Sequence, residues 1–294
     1  MNCFPINKGF VQMIRIFSDS TSDLTKELID KYNITILPLH ITLGEEEYND
    51  GQNISSDEIF AWCDCNKTTP KTSAISIDAT IDAMTPVLEG GDEIIAFSIS
   101  SSMSTTNNIL NMIADDIEGG DRISVIDSKN LSTGIALLVI KAAEMAQQGL
   151  DRATIVQAIE DLVPKVRSSF VIDTLTYLHR GGRCSSIAAL VGGVLKLHPK
   201  IVVEDGAMDV SKKYRGAIAA VVNDYVKDLN DELLDADSSR IFVTHSIRSQ
   251  EILDNVRNYL ESLNYFDEII FTDAGGVISS HCGPGTLGLL FITK

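Results

Sequence analysis

The segment Gly91–Asn108, GDEIIAFSISSSMSTTNN, joins a short apolar run to a row of hydroxyl side chains. Its first part, Glu93–Ser98, follows a Gly-Gly-Asp turn and predicts a buried parallel strand. Seven residues between Ser98 and Thr106 are Ser or Thr, and the apolar residues from 109 to 117 then recur at helical spacing. A strand that ends in such a loop before a helix offers N–H groups and the positive end of the helix dipole to an anion. The alternative is that Ser104 only caps the helix.

Two further loops repeat this plan. The strand predicted at Ile14–Phe17 leads into the polar run Asp19–Asp23, and Thr72 and Ser73 precede a helix predicted from residue 77. Open α/β sheets place their ligands at the carboxyl ends of parallel strands, so these loops are candidate binding loops. Helix capping by Ser22 or Asp23, and by Thr72 or Ser73, is the competing interpretation.

The order of the predicted elements indicates an α/β fold of two domains. Strands and helices alternate up to Pro164, which predicts a first domain, residues 1–164, with a mostly parallel sheet. Residues 165–294 combine a hairpin at Asp205-Gly206, a helix predicted over Arg215–Leu234 and further strands, so the second domain is expected to have a mixed sheet. The predicted core of the first domain consists of Ile14, Ile16, Ile94, Ile95, Phe97, Val125 and Ile126.

Composition narrows the possible functions. Of 294 residues, 24 are Lys or Arg and 41 are Asp or Glu, and the resulting net charge of −17 disfavours nucleic acids and anionic lipid surfaces as partners. The sequence contains no apolar run long enough for a membrane span and no secretion signal in its first residues. Five scattered cysteines are typical of a reduced cytoplasmic protein, and Cys63 and Cys65 alone make a poor zinc site.

Two other features are open to more than one interpretation. Gly192 and Gly193 lie in an apolar run, where they permit close approach of a backbone or a ligand tail, or mark a bend in the core. His281 stands directly before Cys282-Gly283-Pro284-Gly285, whose glycines and proline require a tight backbone course. A single histidine at such a place is either structural or a binding group.

Taken together, these motifs resemble the DegV family, which includes the fatty-acid-binding subunits of bacterial fatty acid kinase. The resemblance extends from Met13 to Lys294, and the order and spacing of its motifs make it specific. The matching segments are Asp19–Leu24, Tyr48–Gly51, Lys71–Ser73, Ile99–Thr105, Val125–Ser128, Gly181–Arg183 and His281–Thr286.

The resemblance implies a fold of two α/β domains with the ligand between them, an acyl tunnel to which the second domain contributes, and no catalytic residue, metal or cofactor other than the bound fatty acid. Its implied partners are a long-chain fatty acid and the catalytic subunit of the kinase. The residues implied to bind the carboxylate are Thr72, Ser73, Ser100, Ser104, Thr105 and His281, with Ser104 favoured over Ser100. Arg183 and Arg180 are implied to lie near the headgroup or to face the partner.

The sequence departs from the family pattern at two places. Ala74 and Ile75 stand where Gln-Pro is usual, and Thr105 replaces the usual glycine of the central loop. Two other functions compete with the carrier hypothesis. One is a serine-dependent acyl hydrolase that uses Ser104 or Ser101 with His281 and an Asp, although the Gly-x-Ser-x-Gly elbow is absent. The other is an enzyme that binds phosphate compounds at the same helix N-termini.

Overall fold

The computed structural model describes residues 12–190 and 197–294. Cys3, Gly192 and Gly193 therefore lie outside the described residues. The first half forms β1 (Ile14–Asp19), α1 (Lys26–Tyr32), β2 (Thr35–Leu37), β3 (His40–Leu43), β4 (Glu46–Asn49), α2 (Ser56–Asn66), β5 (Lys71–Ser73), α3 (Ile77–Glu89), β6 (Glu93–Ser98), α4 (Thr106–Asp116), β7 (Ile123–Asp127), α5 (Thr133–Gln147) and α6 (Arg152–Leu162).

In the described residues of the second half, the helices are fewer and the strands are longer than in the first half. It forms β8 (Val166–Val171), α7 (Thr176–Gly181), β9 (Leu197–Glu204), β10 (Ala207–Arg215), α8 (Ile218–Asp228), α9 (Asn230–Leu234), β11 (Arg240–His245), α10 (Gln250–Ser262), β12 (Glu268–Asp273), α11 (Gly276–Cys282) and β13 (Leu287–Ile292).

These strands form three sheets. The order β2-β1-β6-β7 makes a parallel sheet, with β6 in its interior, and β4-β3-β5 makes a small antiparallel sheet beside it. The order β10-β9-β8-β13-β11-β12 makes a mixed sheet in which only β11 and β12 run parallel. The chain thus consists of two α/β domains, the first with a parallel sheet and the second with a mixed one, which confirms the predicted fold class.

The apolar core follows the strand pattern of the sequence. Ile94, Ile95 and Phe97 of β6 are fully buried, as expected for a strand covered on both faces. Of the seven predicted core residues, Ile14 and Val125 are only half-buried. One apolar cluster contains Phe97 together with residues of β8 and β13, so the two halves share packing. The division at Pro164 stays a prediction.

Several local predictions are confirmed. Ser55 and Glu58 form the capping box that starts α2, and the chain breaks at Pro38, on either side of which β2 and β3 join different sheets. The hairpin turns at Asp205 and Gly206, both of which have positive φ.

Two sets of local predictions are wrong. Arg215 ends β10 instead of starting a helix, because β10 continues past a bulge after Val210 and stays paired with β9. The predicted caps are also wrong, since Thr25 caps α1 and Ser76 caps α3. Thr72 and Ser73 belong to strand β5, which leaves their hydroxyls free of a capping role.

None of the helices in residues 12–190 and 197–294 is long and apolar enough to cross a membrane. Within the same ranges, no group of three or more His, Cys, Asp or Glu side chains could hold a metal ion.

The mixed sheet provides a test of the fold at Tyr225, a fully buried residue of α8. Its hydroxyl donates to the Ser169 carbonyl at 2.7 Å and accepts from the Leu289 N–H at 3.0 Å. We expect Tyr225→Phe to lower the free energy of unfolding by about 1–3 kcal/mol, because buried polar groups lose a partner. Tyr48→Phe is the control, because the Tyr48 hydroxyl donates to the exposed side chain of Glu46. Equal urea midpoints for the two variants would contradict a stabilising role for the buried hydrogen bonds of Tyr225.

Candidate functional site

The binding loops predicted from the sequence meet at a cavity of about 490 Å³, within the range of about 300–1,000 Å³ usual for small-molecule sites. The cavity lies where β5, the loop after β6, and α11 come together. Its polar lining consists of Thr72, Ser73, Ser101, Ser102, Ser104, Thr105, Arg183 and His281. Its remaining lining is Leu39, Ala74, Ile99, Met103, Leu131, Met208, Val277, Ile278 and Cys282.

The hydroxyl-rich loop after β6 turns back on itself before α4 begins. Ser104 Oγ accepts from the Thr106 N–H at 3.3 Å and lies 3.0 Å from Thr106 Oγ1. Thr105 occupies the N-cap position of α4 but makes no capping hydrogen bond with its side chain. Ser104 therefore satisfies part of the helix start and also lines the cavity, so the capping interpretation holds in part and the role of Ser104 in binding an anion stays a prediction.

Thr105 replaces the family's usual glycine without backbone strain. Its φ of −81° and ψ of 0° are accessible to any L-residue. A threonine at this position is therefore compatible with the backbone of the loop, and its side chain lines the cavity.

The centre of the polar lining is a contact between the two halves of the chain. Thr72 Oγ1 on β5 lies 2.8 Å from His281 Nε2 on α11. Burial, assisted by the nearby positive charge of Arg183, lowers the pKa of His281 to about 4. The imidazole is accordingly neutral at neutral pH, and when its Nε2–H donates to Thr72 Oγ1 the Thr72 O–H is left as an uncharged donor to the cavity.

The second nitrogen of His281 faces the backbone of α7. Nδ1 is buried and has no hydrogen-bond partner among the described residues. A Cβ at Gly181 would collide with this atom, so a glycine is required there for the imidazole to keep its place. Because no carboxylate binds Nδ1 and Thr72 rather than a serine contacts Nε2, these residues do not form a Ser-His-Asp arrangement in this structure.

Arginine stands only at the edge of the cavity. The Arg183 guanidinium donates to the Gly181 carbonyl at 2.6 Å and to the Met103 carbonyl at 3.5 Å, while its side chain remains exposed. Arg180 does not line the cavity, and its guanidinium lies 3.4 Å from the carbonyl oxygen of Lys67. The two arginines named from the sequence thus occupy different positions, and only Arg183 borders the site.

The structure brings together most of the predicted site residues. Those that line the cavity are Thr72, Ser73, Ser104, Thr105, His281 and Arg183. Ser100 is buried outside it, where its hydroxyl donates to the Gly206 carbonyl at 2.6 Å and joins the β9–β10 hairpin to the hydroxyl-rich loop.

Sequence reasoning missed most of the apolar lining. It named the second domain as a contributor to the tunnel, and Leu39, Ile99 and Leu131 line the cavity from the first half as well. Ile99 and Met103 flank the run of three serines in the loop, which was a usable signal. Leu39 and Met208 had none, since both lie outside the hydroxyl-rich loops.

The sequence also gave little indication of three buried carboxylates behind the cavity. Asp19, Asp23 and Asp50 are 0%, 6% and 1% exposed. Burial is the largest cause that raises the pKa of each, to about 6 for Asp19. The polar run Asp19–Asp23 was expected to reach a ligand or cap a helix, and Asp23 instead contacts the backbone at the start of α11.

Comparison with known proteins places this geometry in a family. Residues 13–294 match the family described as uncharacterised proteins of the DegV family. A DegV domain-containing protein of Caldanaerobacter subterraneus is 32% identical over 286 residues, covering 97% of this chain and 100% of that protein. One from Deinococcus radiodurans is 30% identical over 276 residues, covering 94% of this chain and 97% of that protein.

Solved structures with the same fold include lipid-binding proteins. A fatty-acid-binding DegV family protein from Thermus thermophilus gives a TM-score of 0.87 at 25% identity, covering 96% of this chain and 100% of that one. A stearic-acid-binding protein from Eubacterium ventriosum gives a TM-score of 0.82 at 28% identity, covering 96% of this chain and 99% of that one. With a family match over residues 13–294 and relatives of about its own length, the chain belongs to the DegV family.

Proposed function

We propose that this protein binds a long-chain fatty acid in the cavity and presents its carboxylate to a separate ATP-dependent fatty acid kinase, which forms the acyl phosphate. The observation that supports it most is the lining of the cavity, which has an apolar part and a polar part. The polar part contains hydroxyl groups and the neutral imidazole of His281. Two structural relatives are described as binding fatty acid or stearic acid, and the family resemblance includes kinase subunits.

The energetics of the proposed complex divide between the two parts of the cavity. About fifteen methylenes leaving water contribute roughly 12 kcal/mol before the costs of binding, at about 0.8 kcal/mol each. A buried carboxylate is unfavourable unless several donors contact it. Thr72, Ser104 and His281 could provide those donors, so the tail supplies most of the affinity while the polar end fixes the register of the chain.

The direct test is to identify what the purified protein carries. We expect native mass spectrometry and solvent extraction to find a long-chain fatty acid at about one per chain. If the protein is empty, delipidated chain should still take up added stearate or oleate. An empty protein that binds neither, yet is protected from thermal unfolding by phosphate compounds, would overturn the carrier proposal in favour of a phosphate-binding site.

The polar end is tested at Thr72. We expect Thr72→Ala to weaken fatty acid binding about 10- to 100-fold, because a hydrogen bond to a charged group contributes about 1.5–3 kcal/mol. Thr72→Ser keeps the hydroxyl and should bind nearly as the wild type does. Calorimetric titration of delipidated protein measures both. Equal affinity for the alanine and serine variants would show that Thr72 does not bind the carboxylate.

Presentation to the kinase is tested at Arg183, whose exposed guanidinium borders the polar end. Arginine stabilises the charge that develops on a transferring phosphoryl group. We expect Arg183→Ala to impair acyl phosphate formation by a bacterial fatty acid kinase even at saturating fatty acid, whereas Thr72→Ala should recover as fatty acid is raised.

Exposed Arg215, at the end of β10, provides the matched control. Arg215→Ala removes the same charge from a place that does not line the cavity. If the Arg183 and Arg215 variants support the same turnover as the wild type, Arg183 has no part in presentation.

A further inference from the structure

Behind the cavity, three buried aspartates contact the backbone of segments that line it. Asp19, Asp23 and Asp50 come from the ends of β1 and β4 and the turn between β1 and α1, and none of them lines the cavity. No Lys or Arg in the described ranges forms an ion pair with any of them. Their acceptors are instead directed at N–H groups and hydroxyls, which satisfies each carboxylate without a counter-charge.

Asp50 and Asp23 together hold the start of α11. Asp50 Oδ1 accepts from the Gly276 N–H at 2.8 Å and the Val277 N–H at 3.3 Å. Asp23 Oδ1 accepts from the Gly275 N–H at 2.9 Å. Three successive N–H groups at this helix start are thus bound by carboxylates of the other half of the chain.

The second oxygen of each carboxylate fixes the aspartate itself. Asp50 Oδ2 accepts from Ser20 Oγ at 2.8 Å, and Asp23 Oδ2 accepts from Ser132 Oγ at 2.6 Å. Asp19 plays a related part at the hydroxyl-rich loop, where its Oδ2 accepts from the Ile99 N–H at 2.7 Å. Both walls of the cavity are therefore tied to the same carboxylate cluster.

These carboxylates are costly to the fold. Burial raises the pKa of all three, and repulsion by Asp50 adds to the rise in the pKa of Asp19 and Asp23. The stability that Asp19 contributes is fully present below its ordinary pKa of 3.8 and is lost as pH rises through about 6. Burial of the ionised carboxylates therefore disfavours the folded state at neutral pH, and the hydrogen bonds from N–H groups and hydroxyls offset part of that cost.

The helix that they hold carries much of the site. α11 has seven residues, too few to be stable as an isolated helix. Val277, Ile278, His281 and Cys282 on this helix all line the cavity. A shift of its start would move the imidazole away from Thr72 and the apolar side chains away from the tail.

We propose that Asp50 and Asp23 are positioning residues of the fatty acid site, which place α11 so that His281 meets Thr72 and the helix forms the cavity wall. The proposal rests on the proposed function only for the identity of the ligand. The contact between Asp50 and α11 sets the environment of the His281 imidazole in the empty protein as well.

Asp50 allows a conservative substitution that isolates the hydrogen bonds. In Asp50→Asn, the side-chain oxygen still accepts from Gly276 and Val277, and the amide can donate to Ser20 Oγ. Asp50→Ala removes both acceptors. Tyr225→Phe, in the mixed sheet and outside the cavity lining, is the matched control for a general loss of stability.

The closing experiment measures stearate affinity and the unfolding midpoint of delipidated protein for these three variants. We expect Asp50→Ala to weaken binding at least tenfold, Asp50→Asn to restore it to within about threefold, and Tyr225→Phe to lower stability with affinity unchanged. The positioning role is overturned if Asp50→Ala binds as the wild type does, or if affinity falls with stability equally in Asp50→Ala and Tyr225→Phe.

A measurement without ligand keeps this proposal separate from the proposed function. In NMR titrations of the empty protein, with the His281 signal assigned through His281→Gln, we expect the pKa of His281 to rise from about 4 toward its ordinary value in Asp50→Ala and to stay low in Asp50→Asn. A wild type that binds no fatty acid would refute the proposed function alone. An unchanged pKa of His281 in Asp50→Ala would refute the positioning role alone.

Discussion

The contact between Thr72 and His281 is the interaction on which the rest of the site depends. It joins a strand of the small antiparallel sheet to a helix of the second half, in the wall of the cavity that both residues line. Both groups are uncharged at neutral pH, so the site can receive a carboxylate without first burying a cation. A lysine or arginine in the same place would need a counter-ion whenever the cavity was empty.

The arrangement explains why a strongly acidic chain can be a candidate for binding an anion. The net charge of −17 is spread over the molecule, while the cavity lining contains hydroxyls, one imidazole and a single arginine at its edge. Short-range donors decide the binding of a buried group, because hydrogen bonds act at contact whereas surface charges are screened by salt. The negative surface opposes non-specific association with phosphate backbones and anionic membranes without weakening those local contacts.

Much of the fold followed from the sequence, because the buried strands are apolar and the turns are marked. The β6 run, the break at Pro38 and the Asp205-Gly206 turn each carry a local signal, and the structure has the elements they predict. The polar half of the site was also visible, since Ser104 and Thr105 follow the end of β6 and the other polar residues lie in short hydroxyl or histidine motifs. The missed contributors, such as Leu39, Met208 and Asp50, reach the site only through tertiary packing, which has no periodic trace in the sequence. Ser100 is the opposite case. It lies in the hydroxyl-rich loop identified from the sequence, but its hydroxyl donates to the β9–β10 hairpin and does not line the cavity.

The close packing around Gly276 limits where the residues around the cavity can be substituted. A Cβ at Gly276 would lie 2.6 Å from Ile41 Cδ1, 2.9 Å from Asp50 Oδ1 and 3.0 Å from Ile59 Cδ1. Any larger residue at the end of α11 that faces the aspartates therefore requires these side chains to move. Substitutions that alter the capacity of the cavity are open at Met208 and Leu39, which lie outside that helix. The capacity of the cavity and the placement of His281 can in this way change independently within one scaffold.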